Sequence, residues 1–234
     1  MLHIWGRISS INVRKVVWAA QELGLTLQRT DAGGQFGIVK EPDYLRKNPN
    51  ATVPLIEDGE VVLWESNVIV RYLCAKYSAP TLAASRASLP PEGARLAWGG
   101  PARRHSPGNL YPLTLPERFA AEQWMDWQQT TFNPAGRNAF IQWIRTPAEQ
   151  RQADVIAQSN AATEPLLALL DAHLAHHAFM GGEQFGMADI PLACEMHRWF
   201  GLPQPRPARP HLDRWYQTIL VRPATRGVLD LPLS

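Results

Sequence analysis

The chain has 234 residues, 45% of them hydrophobic, and a formal net charge of +2. That length holds one large domain or two modest ones, and so mild a charge argues against nucleic acid as a main partner, because phosphate binding wants a dense basic patch. The two cysteines, Cys74 and Cys194, exclude a disulfide framework and a zinc cluster and point to a reducing, cytoplasmic setting. The opening MLHIWGRISS lacks a secretory pattern, and no apolar run is long enough to cross a bilayer.

In chain order, Leu2 to Trp5 reads as a buried strand. Val13, Val16, Val17, Ala20 and Leu23 recur at helical spacing, and Gly24 follows as a stop. Leu25 to Leu27 begins a second strand, completing a β-α-β unit. After a loop with Gly33, Gly34 and Gly37 comes a short segment, Pro42 to Lys47. Two apolar runs then flank Asp58-Gly59, a strong hairpin signal. Glu65-Ser66-Asn67 opens a helix carrying Val68, Ile69, Tyr72 and Leu73.

The stretch from about Ser78 to Pro116 is rich in proline, glycine and arginine and reads as a linker and extended loop. From Glu117 onward only helical patterns appear. Pro134 is expected to kink or end the first, and Pro165 to kink the second, Val155 to Leu174. Further helices are expected over Asp189 to Phe200 and His211 to Leu220. The expected domains are 1–78, a 79–116 linker, and an all-helical 117–234.

Four segments, in this order, resemble the glutathione S-transferase family. Trp5 to Val16 (WGRISSINVRKV) resembles the strand, catalytic loop and first helix of serine-type members. Lys40 to Pro54 resembles the segment leading to the family's cis-proline, Trp64-Glu65-Ser66 its glutamyl-binding turn, and Phe185 to Ile190 the start of its buried helix. The resemblance covers the chain except about Ala79 to Gly108. It implies an α/β thioredoxin-like N-terminal domain, an all-α C-terminal domain, glutathione as co-substrate without a metal, a hydrophobic electrophile as second substrate, and a homodimer.

Glutathione needs its thiol ionised, its cysteinyl backbone paired and its glutamyl end neutralised. The resemblance assigns the first task to Ser10, with Ser9 one residue out of register and Asn12 as a further thiol partner. A bare helix cap is the alternative reading of all three. Val53 and Pro54 suit the backbone; Glu65 and Ser66 suit the glutamyl end; Lys40 is a candidate for the glycyl carboxylate, and Thr52 for a further glutathione contact. Ile8, Phe36, Trp124, Trp127, Gln128, Thr131 and Phe132 are candidates for an apolar acceptor pocket, although an aromatic stripe at helical spacing is more often core.

Ser9-Ser10-Ile11-Asn12 replaces the Cys-x-x-Cys of dithiol reductases, and Cys74 reads as a buried small hydrophobe. Asp189 reads as a folding residue, bonding back to a helix start where Gly186 replaces the usual Ser or Thr. His173, His176 and His177 read as a solvated helix face rather than a metal site. Two competing functions remain open: a glutathione-dependent disulfide reductase or peroxidase, and a non-catalytic glutathione-binding carrier or interaction protein.

Overall fold

The structure, a computed structural model, describes residues 1–78 and 110–234. The expected long loop over Ala79 to Gly108 lies outside the described residues.

The N-terminal unit is a four-stranded mixed sheet in the order β2-β1-β3-β4. Its strands are β1 (Leu2–Trp5), β2 (Leu27–Thr30), β3 (Leu55–Asp58) and β4 (Val61–Trp64). β1 runs parallel to β2 and antiparallel to β3, and β3 and β4 form the Asp58-Gly59 hairpin. The helix α1 (Ile11–Glu22) makes the crossover between the parallel strands. It ends as the sequence requires: Gly24 sits at φ 66°, its amide bonds the Gln21 carbonyl, and the Leu25 amide bonds that of Ala20. This is the left-handed glycine stop that satisfies the last carbonyls of a helix. The strand after it starts at Leu27, two residues later than its apolar run begins.

α2 (Pro42–Lys47) and α3 (Ser66–Tyr77) complete this unit. The next described helix, α4 (Leu115–Trp127), begins two residues before Glu117 because Thr114 and Glu117 form a reciprocal capping box. The signal was present as Thr114-Leu115-Pro116-Glu117. Ahead of Pro134 the chain widens into a π turn over Gln128–Phe132 and resumes as α5 (Asn133–Phe140). Proline has no N–H to give the preceding turn, so this is where α-type bonding yields. α6 (Ala153–Leu174) carries Pro165 within one continuous helix.

α7 (Asp189–Phe200) is the buried centre of the helical unit, and α8 (Pro210–Leu220) packs on α6. Asp189 has no exposed surface, and its carboxylate accepts from the Gly186 amide (2.9 Å), the Met180 amide (2.9 Å) and Trp215 Nε1 (2.8 Å). Burial nevertheless raises its pKa to about 6.

α1 is enclosed on two sides. Val13, Val16 and Val17 join the sheet-domain core, while the helix also packs against α7. Its polar residues Arg14 and Lys15 are therefore buried at the domain boundary.

Candidate functional site

The loop joining β1 to α1 carries Ser9 and Ser10. Ser10 is the residue before α1, with extended backbone (φ −79°, ψ 124°), and its carbonyl accepts from the Val13 and Arg14 amides. Its hydroxyl makes no capping bond to the helix. The side chain thus stands at the positive end of a helix dipole without serving as its cap.

Two contacts bring the other predicted segments to this loop. A Cβ added at Gly6 would sit 3.1 Å from Val53 Cβ and 2.5 Å from Val13 Cγ2, so the loop passes Val53 at a distance only glycine allows. Ser66 Oγ donates to Asn12 Oδ1 (3.2 Å), joining the start of α3 to the first turn of α1. The Val53–Pro54 peptide is cis. The carbonyl before it, on Thr52, is held by Tyr44 Oη (2.6 Å) and Asn48 Nδ2 (2.9 Å). Tyr44 and Asn48 are buried supports that motif reading did not single out.

Glu65 precedes α3 at φ 71°, a left-handed conformation that a non-glycine side chain rarely takes. Its carboxylate is exposed while Ser66 is buried. Thr52 and Lys40 are also exposed. Cys74 and Cys194 are free and buried, and desolvation raises both thiols, that of Cys194 to about 12.

A cleft of about 410 Å³ opens beside Ser9, lined by Ile8 and Phe36 together with Arg7, Asp31, Arg145 and Ser234. Two of the predicted acceptor-pocket residues meet here. The rest are directed elsewhere. Trp124 packs edge-on against Trp127 (5.5 Å between ring centroids) and against His173 of α6 (4.8 Å). Trp127 stacks on Phe132 (5.4 Å), which is itself 1% exposed. Thr131 is exposed and does not line the cleft. The His173–Trp124 contact also corrects the solvated-face reading: of the three histidines only His176 is exposed, and His173 is half-buried, bonded to the Met180 carbonyl.

Gln128 has no exposed surface. It accepts from Lys15 Nζ (2.8 Å) and donates to Glu195 Oε2 (2.9 Å), while Glu195 Oε1 takes Arg198 (2.9 Å). It bridges α1 to α7 rather than facing a ligand. Burial pulls the Lys15 ammonium down to about 8 against the opposing pull of Glu195. Arg14, its neighbour, donates to the carbonyls of Ile8 (3.0 Å), Leu231 (3.3 Å) and Pro232 (2.7 Å).

The glutathione S-transferase N-terminal domain model matches residues 1–75, and the C-terminal domain model residues 131–223. Glutathione S-transferase GstB of Escherichia coli (strain K12) is 38% identical over 100% of both chains. Glutathione S-transferase 3 of Zea mays is 28% identical over 99% of this chain and 95% of its own. Among solved structures, the theta class glutathione S-transferase of Xanthomonas axonopodis pv. citri with glutathione bound aligns with a TM-score of 0.85 at 37% identity, covering 100% of this chain and 99% of that one. The sheet domain, the helical domain and the full-length identity agree: the chain belongs to the glutathione S-transferase family and is a glutathione transferase.

Proposed function

We propose that this chain binds glutathione along the Val53–Pro54 edge, holds its thiol as a thiolate at Ser10, and conjugates it to an electrophile seated beside Ser9. One observation carries the reading: three segments far apart in sequence meet at one end of α1, through the Gly6–Val53 approach and the Ser66–Asn12 bond. Ser66 and the free amides of α3 suit the glutamyl carboxylate, and Glu65 the glutamyl ammonium. Lys40 suits the glycyl carboxylate. The thiolate attacks the electrophilic carbon; a C–S bond forms as the leaving group departs with its electron pair.

A hydroxyl bond to a charged group contributes roughly 1.5–3 kcal/mol, and a helix N-terminus about 0.3–1 kcal/mol. Together they lower the thiol pKa by roughly one to three units from about 8.5. The acceptor wall in this reading is Ile8 and Phe36, without Trp124, Trp127, Gln128 or Thr131. A reducing cytoplasm, supported by two buried free cysteines, and the homodimer of the family belong to the same proposal.

The test is ultraviolet thiolate absorbance of protein-bound glutathione against pH, in wild type and Ser10→Ala. The expected result is a depressed thiol pKa in wild type that returns to the free value in the variant. An unshifted wild type, or a variant that titrates like wild type, overturns the serine mechanism.

A further inference from the structure

The cleft beside Ser9 is apolar on one part of its wall and cationic on another. Ile8 and Phe36 supply the apolar part, with Phe36 42% exposed. Arg7 comes from the β1–α1 loop and Arg145 from the end of the α5 extension, so each domain contributes one guanidinium. The other charge in the lining, Asp31, is already paired with Arg29. Among the described residues, no side-chain carboxylate forms an ion pair with Arg7 or Arg145. On α7, Glu195 is paired with Arg198.

Arg145 lies over the Phe140 ring (4.8 Å) and gives one N–H to the Ser234 backbone oxygen (3.2 Å). Beside that contact the cleft holds the charge of Arg7. The electrostatic surroundings agree: burial lowers the Arg145 pKa first, and Arg7, Arg198 and Arg137 lower it further. Arg7 itself lies against the Gly33-Gly34 turn, where a Cβ at Gly33 would come within 2.9 Å of its Nη1. That packing keeps the side chain beside Ser9 and off the bulk surface.

Taken with the function proposed above, on which it rests, we infer that the acceptor is an electrophile with an apolar body and a carboxylate, the carboxylate held between Arg7 and Arg145. A guanidinium fork matches two carboxylate oxygens, which a neutral or purely apolar acceptor cannot exploit. The anion stays outside the reaction: the thiolate sulfur bonds the electrophilic carbon and the leaving group carries away the electron pair. The carboxylate orients that carbon toward the sulfur.

A matched acceptor pair tests this. One is a chloronitrobenzoate with chlorine para to the carboxylate; the other is the corresponding benzamide, of nearly the same shape but neutral. In both, the C–S bond forms as C–Cl breaks and chloride leaves. Each rate is divided by its uncatalysed rate with glutathione. Wild type is expected to favour the benzoate by roughly 10- to 100-fold in kcat/KM. Added salt is expected to shrink that ratio, and Arg7→Met and Arg145→Met each to reduce it severalfold. Equal treatment of the two acceptors, or a ratio that survives both substitutions, overturns the inference. So does an Arg7→Met whose effect is a raised KM for glutathione shared equally by both acceptors, because the guanidinium then serves glutathione's own carboxylate. A normal thiolate titration with no turnover of either acceptor overturns it too. The wild-type thiol titration is measured on the same preparation. An absent pKa shift sinks the parent reading, whereas a normal shift without an acceptor preference sinks the anion subsite alone.

Discussion

Lys15 is a charge placed where α1 meets the helical domain, and its titration should be visible in stability. Its ammonium has no exposed surface, and its bonds go to Gln128 (2.8 Å) and Gln129 (3.2 Å). Burial lowers its pKa from 10.5 to about 8. Between those values the unfolded chain binds more protons than the folded one, so the Lys15 contribution to unfolding free energy rises with pH. A shift of that size corresponds to about 3 kcal/mol in full, roughly three-quarters of it gained between about pH 7 and about pH 10. Lys15→Met fills similar volume and cannot titrate. Urea denaturation of both proteins across that range gives a difference curve in which the remaining lysines and tyrosines cancel. The expected curve moves in favour of wild type by about 2–3 kcal/mol as pH rises. A flat difference refutes the reasoning, because it means Lys15 titrates alike in the folded and unfolded chains.

Asp189→Ala strips the acceptor from three donors inside the core, the amides of Met180 and Gly186 and the Trp215 indole. A loss of about 3–5 kcal/mol is expected in chemical denaturation, and a loss near the measurement error refutes the assignment of Asp189 to folding. Because burial raises its folded pKa from 3.8 to about 6, the stability tied to its protonated form is present below the lower value. That stability is lost as pH rises through the upper one, so the advantage of wild type over Asp189→Asn should shrink across that window. Tyr44→Phe and Asn48→Ala each remove one of the two bonds on the Thr52 carbonyl ahead of the Val53–Pro54 edge. Each is expected to raise KM for glutathione roughly fivefold with kcat little changed; an equal fall in kcat instead places these residues in the chemical step.

The β-α-β and hairpin order was legible because each element carries its own local signal: period-four valines in α1, a glycine stop at Gly24, and Asp58-Gly59 between apolar runs. Position was legible where a residue sits at an element's end, as Ser10 and Ser66 do, since chain ends of helices can be located by pattern. It failed where the answer depends on which neighbour covers a face. Trp124 and Trp127 form a true helical stripe, yet spacing cannot say whether a thiol or His173 lies opposite. Nothing in the α1 pattern marks Lys15 as buried, and only the second domain, packed through α7, makes it so. Gln128 was misplaced for the same reason. Arg145 gave no signal at all, because nothing in its own segment relates it to Arg7, which lies far away in sequence.

The burial of Arg14 and Lys15 also explains how the Ser10 end of α1 keeps its position. Arg14 holds the Ile8 carbonyl, in the loop that carries Ser9 and Ser10, and with the same guanidinium grips the carbonyls of Leu231 and Pro232. His197 of α7 bonds that Leu231 carbonyl from the other side (3.0 Å), and Arg222 pairs with Glu22 at the far end of α1 through two 2.7 Å bonds. The helix is therefore fixed at both ends by residues two hundred or more positions away (Arg14 to Leu231, Glu22 to Arg222). A serine whose hydroxyl does not cap its own helix is positioned by its backbone, and the backbone here is held by the helical domain. Weakening the Arg14 grip should thus disturb the titration of bound thiol without touching any residue of the proposed glutathione site, a separation that a self-contained sheet domain would not show.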